Sequence, residues 1–574
     1  MRKITSRTVP VDLPILHSDT LLHRIYAARG VTSSSELNYN LVKLLLYSEL
    51  KGVQAAVACL TTAMQEQQRV LVVGDFDVDG ATGTALAVLV LKSFGLKDVA
   101  YLVPNRFDFG YGLTPEIVAV AAKQQPQLII TVDNGIVDID GVAAANALGI
   151  KVLITDHHLP GNDLPEACAI VNPNQDDDGF LSKNLAGVGV VFYLMVALRT
   201  HLKNIGWFAE QNIPMPNMAQ FLDLVALGTV ADLVNLDHNN RILVAQGIRR
   251  IREGNCRQGI KALMAVTGRT HEKILTADLG FVVAPRLNAV GRLDDMSLGV
   301  ECLITEDCAR ARAIAQQLDA LNNERREIEA DMQRQAFRLL DTLQLEQKLP
   351  PGICVFEETW HQGVLGVLAS RLKDKLNRPV IVFTAVNDTE LKGSARSVAG
   401  LHMRDVLNNI AKRNPGLLTK FGGHAMAAGL SLARENYEQF AQNFALEVER
   451  LMVSDLRGVV YTDGELTTEH FNLATAELLR EAGPWGSGFP EPTFFGEFVL
   501  VEQRMVGQKH LKLILRPLTV DQEVDAICFN VNLNVWPNFR CTSAKMVYRL
   551  GVNEYRGRCS LQLIVQELVG CNYE

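Results

Sequence analysis

The stretch VLVVGDFDVDGATGTA (70–85) decides the fold. It opens on a short aliphatic run, reaches Gly74, then sets Asp75, Asp77 and Asp79 at alternate positions before Gly80. A brief, continuously apolar run bounded by glycine and carboxylate reads as a strand buried on both faces. The stretch 81–94 that follows reads as helix. The same alternation recurs, with strand-like AYLV (100–103), LIITV (128–132) and KVLIT (151–155) separated by helical stretches 115–123 and 140–148. Strand–helix alternation at this spacing predicts a parallel α/β sheet with helices on both faces. Such sheets place ligands beyond the carboxyl ends of their strands.

Chemistry-bearing residues sit at those ends. Three carboxylates as close as Asp75, Asp77 and Asp79 cannot all stay ionised cheaply without a cation. D-x-D-x-D-G also opens a calcium-binding helix–loop–helix, but that loop needs Glu at its twelfth position, which here is Leu86, and a helix before it rather than a strand. A solvated acidic turn is the bland alternative. In LIITVDNGI (128–136) Asp133 follows an apolar strand, although Asp-Asn-Gly is also an ordinary turn. In KVLITDHHLP (151–160) Asp156 can orient an imidazole, while His157 and His158 point in different directions, one to a metal and one to substrate. Asp232, inside the apolar LGTVADLV (227–234), needs a partner, either a metal or a helix-end ion pair. Taken together, three strand ends deliver carboxylate or imidazole to one sheet edge. A mixed Asp/His set without thiolates suits Mn2+ or Mg2+. The ligands suffice for two ions sharing a bridging Asp, the arrangement for in-line displacement at phosphorus. No GxxxxGK[ST] loop and no GxGxxG after a strand supports a nucleoside-triphosphatase or dinucleotide reading.

The chain has 574 residues, too many for one ordinary core, and its 56 Lys+Arg against 64 Asp+Glu give a net charge of −8. An apolar fraction of 48% and a charged fraction of 21% exclude disorder as the main theme, and the acidic balance excludes a generally basic nucleic-acid coat but not a local basic groove. No run is long enough to span a membrane, MRKITSRTVPVDLPILHSD (1–19) lacks the apolar core of a secretory signal, and the ten cysteines form no CxxC. A reducing cytoplasm is the expected compartment. The expected organisation is an N-terminal segment 1–65, a parallel-sheet catalytic domain 66–300, a long amphipathic helix 301–349, a second α/β domain 350–456 and a small OB-like β-barrel 457–574. In the barrel Arg504, Lys509, His510, Lys512 and Arg516, with Phe529, Trp536, Tyr548 and Tyr555, suit a basic groove with stacking platforms for a single strand; a core of aromatics under a solvated charged face is the alternative.

The series GDFDVDG, VDNG, TDHH and GTVAD resembles the DHH phosphoesterase superfamily, and GSARS (393–397) and FGGHAMAAG (421–429) resemble its DHHA1 companion domain. PNRFDFGYGLTPE (104–116), LAGVGVVFYL (185–194), APRLNAVGRLDD (284–295) and WHQGVLGVLASRL (360–372) extend the likeness. With the long helix and the barrel, nearly the whole chain is similar to the superfamily's single-strand-specific 5′→3′ DNA exonucleases. Many superfamily members carry Cys where Asn134 stands; it is not a ligand in this reading.

The resemblance implies that Asp77, Asp79, Asp133, His157 and Asp232 are metal ligands with Asp133 bridging, and that Asp75 joins them. It implies that His158 faces the scissile phosphate, that Asp156 holds a histidine, and that the ions activate the attacking water. Arg106, Ser394 and Arg396 match positions that hold a terminal 5′ phosphate, and guanidinium groups suit that task. Tyr111 would stack on a terminal base. Gly422, Gly423 and His424 would approach phosphates, although tight packing also explains the glycines. Arg286 and Arg292 would contact the strand, and Asn288 would orient it near the metals. The implied partners are single-stranded DNA, the single-strand-binding protein and helicases of recombination and repair, with the chain acting as a monomer. Two other readings stand beside this one, a small-substrate DHH phosphoesterase for oligoribonucleotides or cyclic dinucleotides and a catalytically dead scaffold.

Overall fold

A computed structural model of the chain describes residues 3–105, 111–346, 349–452, 458–518, 522–533 and 535–573. Two compact units divide inside one long helix, the first holding Ile4–Asp319 with Val460–Glu574 and the second Ala320–Val459.

In the first unit, helix α1 (Val53–Gln65) leads into β1 (Val70–Gly74), α2 (Val78–Ser93), β2 (Val99–Leu102), β3 (Leu128–Val132), β4 (Lys151–Thr155) and β5 (Ala169–Val171). The five strands are parallel in the order β2-β1-β3-β4-β5. Strand order reverses between β1 and β3, the switch point where doubly wound sheets open a crevice for ligand. Both strands are buried along their whole length, as their unbroken aliphatic runs require. Helix α3 (Gly187–Asn204) packs on α2 and on β3 and β4, α4 (Leu222–Ala231) packs on α2 and α3, and α5 (Ala284–Leu293) follows.

Close packing here rests on glycine. A Cβ on Gly74 would fall 2.0 Å from Thr84 Oγ1, and one on Gly83 would meet Val132 at 2.6 Å. Helix α2 therefore lies almost against the sheet.

The long helix α6 (Cys308–Glu346) starts later than its Gly- and Pro-free stretch, because Thr305 adopts extended backbone just before it. Ile314 and Leu318 are buried in the first unit, and Met332, Ala336 and Leu340 belong to a core of the second. That unit contains β6 (Ile353–Phe356), α7 (Leu365–Leu376), β7 (Val380–Ala385), β8 (Glu390–Arg396), β9 (Lys420–Gly423) and β10 (Ala427–Ala433), in sheet order β9-β10-β8-β7-β6. Phe383, Phe440 and Phe444 fill one side of it.

The C-terminal strands β11 (Phe494–Val506), β12 (His510–Pro517), β13 (Val524–Cys528), β14 (Cys541–Tyr555) and β15 (Arg558–Tyr573) close into a barrel in the order β11-β12-β13-β15-β14. The run VVYTDGEL contributes Val459–Thr462 as a strand outside the barrel. Ion pairs and ring contacts join the segments flanking the parallel sheet to the C-terminal region: Arg29 to Asp463 at 2.8 Å, and Tyr26 stacked on Trp485 and Phe489.

Candidate metal centre and phosphate pocket

The carboxylates after β1 are fixed by the turn into α2. Asp77 caps that helix, its Oδ1 accepting from the Asp79 and Gly80 amides at 2.8 and 3.1 Å. A Cβ on Gly80 would lie 2.5 Å from Asp75 O, so the turn can close only around glycine. Asp79 is buried and receives the amino end of α3, with Gly187 N–H donating to Oδ2 at 2.5 Å and Val188 N–H to Oδ1 at 2.9 Å. A helix N-terminus is a ready seat for a carboxylate.

Asp133 follows β3 at φ +64°, a left-handed conformation that costs a non-glycine residue about 1–2 kcal/mol. Its amide is anchored on Thr155 O at 3.0 Å, and Gly187 presses on its side chain closely enough that a Cβ there would meet Asp133 Cβ at 2.7 Å. Strained backbone held by its neighbours is a mark of a functional position. Asp133 Oδ1 is buried, accepts no well-aligned hydrogen bond, and lies 3.0 Å from His157 Nε2. The same His157 nitrogen is 3.6 Å from Asp232 Oδ2 and 3.9 Å from Asp79 Oδ2.

Three ligand sets result, one of them Asp133, His157 and His158, which links the other two. Asp75, Asp77 and Asp133 bring one oxygen each within 4.8 Å of one another, and Asp79, His157 and Asp232 do the same with their own ligand atoms. Asp133 belongs to the first set and touches the second through His157. Burial pushes the carboxyls of Asp133 and Asp232 well above the ordinary range, with Asp79 and Asp77 adding repulsion. Burial and the charge of Asp77 push Asp79 up to about 7. The cluster is thus poorly compensated by the protein's own charges. Carboxylates with one imidazole and no thiolate fit hard divalent ions such as Mn2+ and Mg2+.

Beside them Asp156 is buried and fully engaged, accepting from Ile136 N–H at 3.0 Å, His157 N–H at 2.7 Å, His158 N–H at 3.1 Å and His158 Nδ1 at 2.7 Å. Burial opposes its charge, but the His158 bond and the adjacent histidines hold it below the ordinary carboxylate value. Burial works against the His158 cation in turn, yet Asp156 carries its pKa up to about 9. Tyr111 donates to Asp133 O at 3.1 Å and lies 3.3 Å from His158 Nδ1. Asn172 and Asn174, just after β5, grip the carbonyls of His158 and His157 at 2.9 and 2.5 Å.

Helix α5 meets this loop through Gly291, where a Cβ would fall 2.0 Å from Phe76 O. Asn288 and Arg292 lie three residues before it and one after, half-buried on the same helix. Arg286 is committed elsewhere, paired with Asp319 at 2.8 Å and donating to Val282 O at 2.6 Å. Arg106 lies outside the described residues.

On the second unit, Ser394 and Arg396 share one face of β8. Arg396 Nη1 donates to Ser394 Oγ at 3.2 Å and to Ala395 O at 2.8 Å. Gly366, in the first turn of α7, leaves room for both: a Cβ there would lie 2.6 Å from Arg396 Nη2 and 3.1 Å from Ser394 Oγ. Ser394 pairs with Gly429, which pairs with Gly422, and both glycines face open space. Gly423 differs, since its φ of +142° and a Cβ position 2.5 Å from Ala427 O show a structural turn. His424 is exposed at that turn, its amide donating to Ala427 O at 2.7 Å.

In the barrel, Tyr548 and Trp536 are buried, whereas Phe529 and Tyr555 are 52% and 64% exposed. Phe529 packs edge-on to His510 at 5.2 Å. Lys512 and Arg516 are held by Asp525 and Glu523 at 3.1 and 3.2 Å, and Arg504 lies 3.8 Å from Glu502. Sequence reasoning did not reach the Gly187 and Val188 amides, Asn172, Asn174 or Gly366. The NPN run (172–174) and the glycine in the first turn of each helix were the only hints.

A doubly wound sheet whose switch point carries this double carboxylate–histidine set defines a metal-dependent phosphoesterase. Family models match in three places: the DHH family N-terminal domain over residues 69–229, the DHHA1 domain over 350–450 and the RecJ OB domain over 462–567. The single-stranded-DNA-specific exonuclease RecJ of Dickeya dadantii is 53% identical over 99% of this chain and 98% of its own. The structure of RecJ in complex with Mn2+ from Thermus thermophilus is 27% identical, with a TM-score of 0.80, over 99% of this chain and 79% of that one. Its Mg2+ complex is 25% identical, with a TM-score of 0.72, over 99% and 78%. The chain belongs to the RecJ family of exonucleases, and Mn2+ or Mg2+ is its cofactor. No helix among the described residues is long and apolar enough to cross a membrane.

Proposed function

We propose that this chain hydrolyses single-stranded DNA from the 5′ end, releasing 5′-mononucleotides, in DNA recombination and repair. The observation that carries the chemistry is the pair of ligand sets meeting at Asp133. Asp75, Asp77 and Asp133 would hold one ion, and Asp79, His157 and Asp232 the other. When bound, such ions polarise a phosphate and lower the pKa of water.

The remaining steps belong to side chains. Asp156 is a positioning residue, fixing Nδ1 as the protonated nitrogen of His158, so that a phosphate oxygen would be met by Nε2. As imidazolium, His158 stabilises charge gathering on the phosphate and can hand a proton to the departing oxygen. Asn172 and Asn174 hold the backbone that aims both histidines. Asn288 and Arg292 would steady the strand beside the metal ligands. Ser394 and Arg396 would take the terminal 5′ phosphate, where Gly366 leaves space and the amino end of α7 favours an anion. Gly422 and His424 would let the backbone pass close, Tyr111 would stack on a base, and the barrel would bind the strand through Phe529 and its basic neighbours. The domain limits that follow are those of the sequence reading, 66–300, 350–456 and 457–574.

The barrel favours this reading over a small-substrate phosphoesterase, which has no use for a polymer-binding module. Single-strand-binding protein and helicases that expose single strands are the proposed partners, the cytoplasm the proposed compartment, and a monomer the proposed state.

The test uses one strand labelled at its 5′ end, a twin labelled at its 3′ end and a blunt duplex, each with and without Mn2+. The expected result is immediate mononucleotide release from the 5′ label, retention of the 3′ label on shortening strands, and an intact duplex. Release from the 3′ label first would overturn the polarity. Cleavage of dinucleotides alone would return the small-substrate reading. Arg396→Ala should lower the rate on 5′-phosphorylated strands by about 10- to 100-fold, the worth of a charged hydrogen bond, and less on 5′-hydroxyl strands. An unchanged ratio of the two rates would remove Arg396 from the end pocket.

A further inference from the structure

At the amino ends of the parallel strands, on the opposite edge of the sheet from the metal ligands, two thiols meet. Cys168 is exposed and directly precedes β5, its amide donating to Val152 O at 2.8 Å. Cys59 is half-buried on α1. Their Sγ atoms are 3.0 Å apart, about 1 Å beyond the ~2.05 Å length of an S–S bond.

The contact is built by backbone. The turn into α1 runs so tightly over the edge strand that a Cβ on Gly52 would fall 2.0 Å from Ile170 O. The next turns of α1 therefore carry Cys59 onto the start of β5. The two cysteines stand 109 residues apart in sequence, and only the tertiary fold brings them together.

We propose that Cys59 and Cys168 form a reversible redox pair that closes to an intrachain disulfide when hydrogen peroxide is present. Neither residue belongs to the metal centre, and the proposal does not rest on the nuclease reading. The hydrogen bond from Cys168 and the nearby Lys151 ammonium favour the Cys59 thiolate, and its pKa falls below the ordinary thiol value. That thiolate attacks one peroxide oxygen. The O–O bond breaks, hydroxide leaves and takes a proton to become water, and Cys59 is left as a sulfenic acid. The Cys168 sulfur then attacks the Cys59 sulfur, the S–O bond breaks, and the Cys168 proton leaves with the departing oxygen as a second water. Two thiols lose two electrons and the peroxide gains them. A dithiol reductant reverses the closure.

The experiment uses the full chain, reduced and freed of reductant, then treated with equimolar hydrogen peroxide. Remaining thiols are blocked with N-ethylmaleimide, and the protein is digested without reduction for mass spectrometry. The expected product is one cross-linked peptide pair joining Cys59 to Cys168, lighter by two hydrogens than the separate peptides. It should form before the exposed Cys308 and Cys559 are oxidised and disappear with dithiothreitol. Cys168→Ser, a change at an exposed position, should abolish the cross-link and leave a Cys59 sulfenic acid that dimedone captures. The proposal is overturned if Cys59 and Cys168 are both recovered alkylated while Cys308 and Cys559 are already oxidised. It is equally overturned if Cys168 is found joined to a different cysteine.

Discussion

Asp133→Asn should make the metal-free protein more stable while removing its response to metal. Asn keeps the shape of the side chain and tolerates the left-handed backbone at φ +64°. The amide bond to Thr155 O is untouched. What changes is charge. Asp75, Asp77 and Asp133 bring carboxylate oxygens within 4.8 Å of one another. At an effective dielectric of about 20, each ionised pair at that separation repels by roughly 3 kcal/mol. Asp133 takes part in two such pairs, and burial first, with the neighbouring carboxylates adding to it, raises its pKa well above the ordinary value. Partial protonation already relieves some of this in the wild type. A net gain on the order of 2–3 kcal/mol at pH 8 remains for the variant in EDTA. In a domain of about 150–250 residues, 1 kcal/mol moves the melting temperature by ~2–4 °C, so the first transition should rise by several degrees. With Mn2+ the order inverts. A ligand at a hundred times its Kd stabilises by ~2.7 kcal/mol, and the variant should forgo that. Turnover on single strands should fall by more than the ~10- to 100-fold that losing an outer-shell partner costs. The assay is thermal unfolding of both proteins in EDTA and in Mn2+, beside mononucleotide release. A variant that melts lower than wild type in EDTA would refute the account of a repulsive cluster, and full activity would refute the assignment of Asp133 as a ligand.

The same cluster sets the pH dependence of the metal-free protein. Asp79 rises from 3.8 to about 7 and Asp138 to about 6 on folding, both through burial first. The folded state therefore holds more protons than the unfolded between those values, so these groups cost no stability below about pH 4 and cost progressively more up to about pH 7. Melting temperatures taken from pH 5 to 8 in EDTA should fall across that window, and the increment from Mn2+ should grow, since metal replaces the protons; a flat EDTA series would contradict the burial of Asp79. Gly422→Ala should fold normally, because a Cβ there meets nothing within 4 Å, yet weaken single-strand binding, whereas Gly423→Ala should destabilise the second unit through Ala427 O. Equal stability and equal binding for the two variants would remove the open glycine face from the strand path. Phe529→Ala should leave the barrel's stability within about 0.5 kcal/mol and reduce affinity for single strands. Tyr548→Ala, by contrast, should cost ~3–5 kcal/mol, both read from denaturant unfolding and fluorescence anisotropy.

The strand ends were legible because fold and chemistry are written in the same few residues. VLVVGD, LIITVD and KVLITDHH each give the strand, its burial and its cargo at once. Seats made of backbone were not legible. Asp79 depends on the Gly187 and Val188 amides, more than a hundred positions away, and nothing local to Asp79 marks them. The two histidines depend likewise on Asn172 and Asn174 across the sheet edge.

The barrel aromatics show a second kind of loss. Alternation assigns a face to each strand residue only while the register holds. Where β14 pairs with β15 the register shifts between Lys545 and Met546 and again between Val547 and Tyr548, each time by an extra residue on β15, and Met546, Val547 and Tyr548 are all buried in succession. A register shift carries no signature in composition, so a run of three buried residues ending at Tyr548 could not be read from alternation. The metal site escapes this ambiguity because its signal is a conflict rather than a pattern. A core gains nothing from burying Asp75, Asp79 and Asp133 together. Carboxylates placed where repulsion and lost hydration both oppose them persist only if something of opposite charge belongs there. That argument needs no register, and it is why the chemistry could be read from three strand ends before any distance was known.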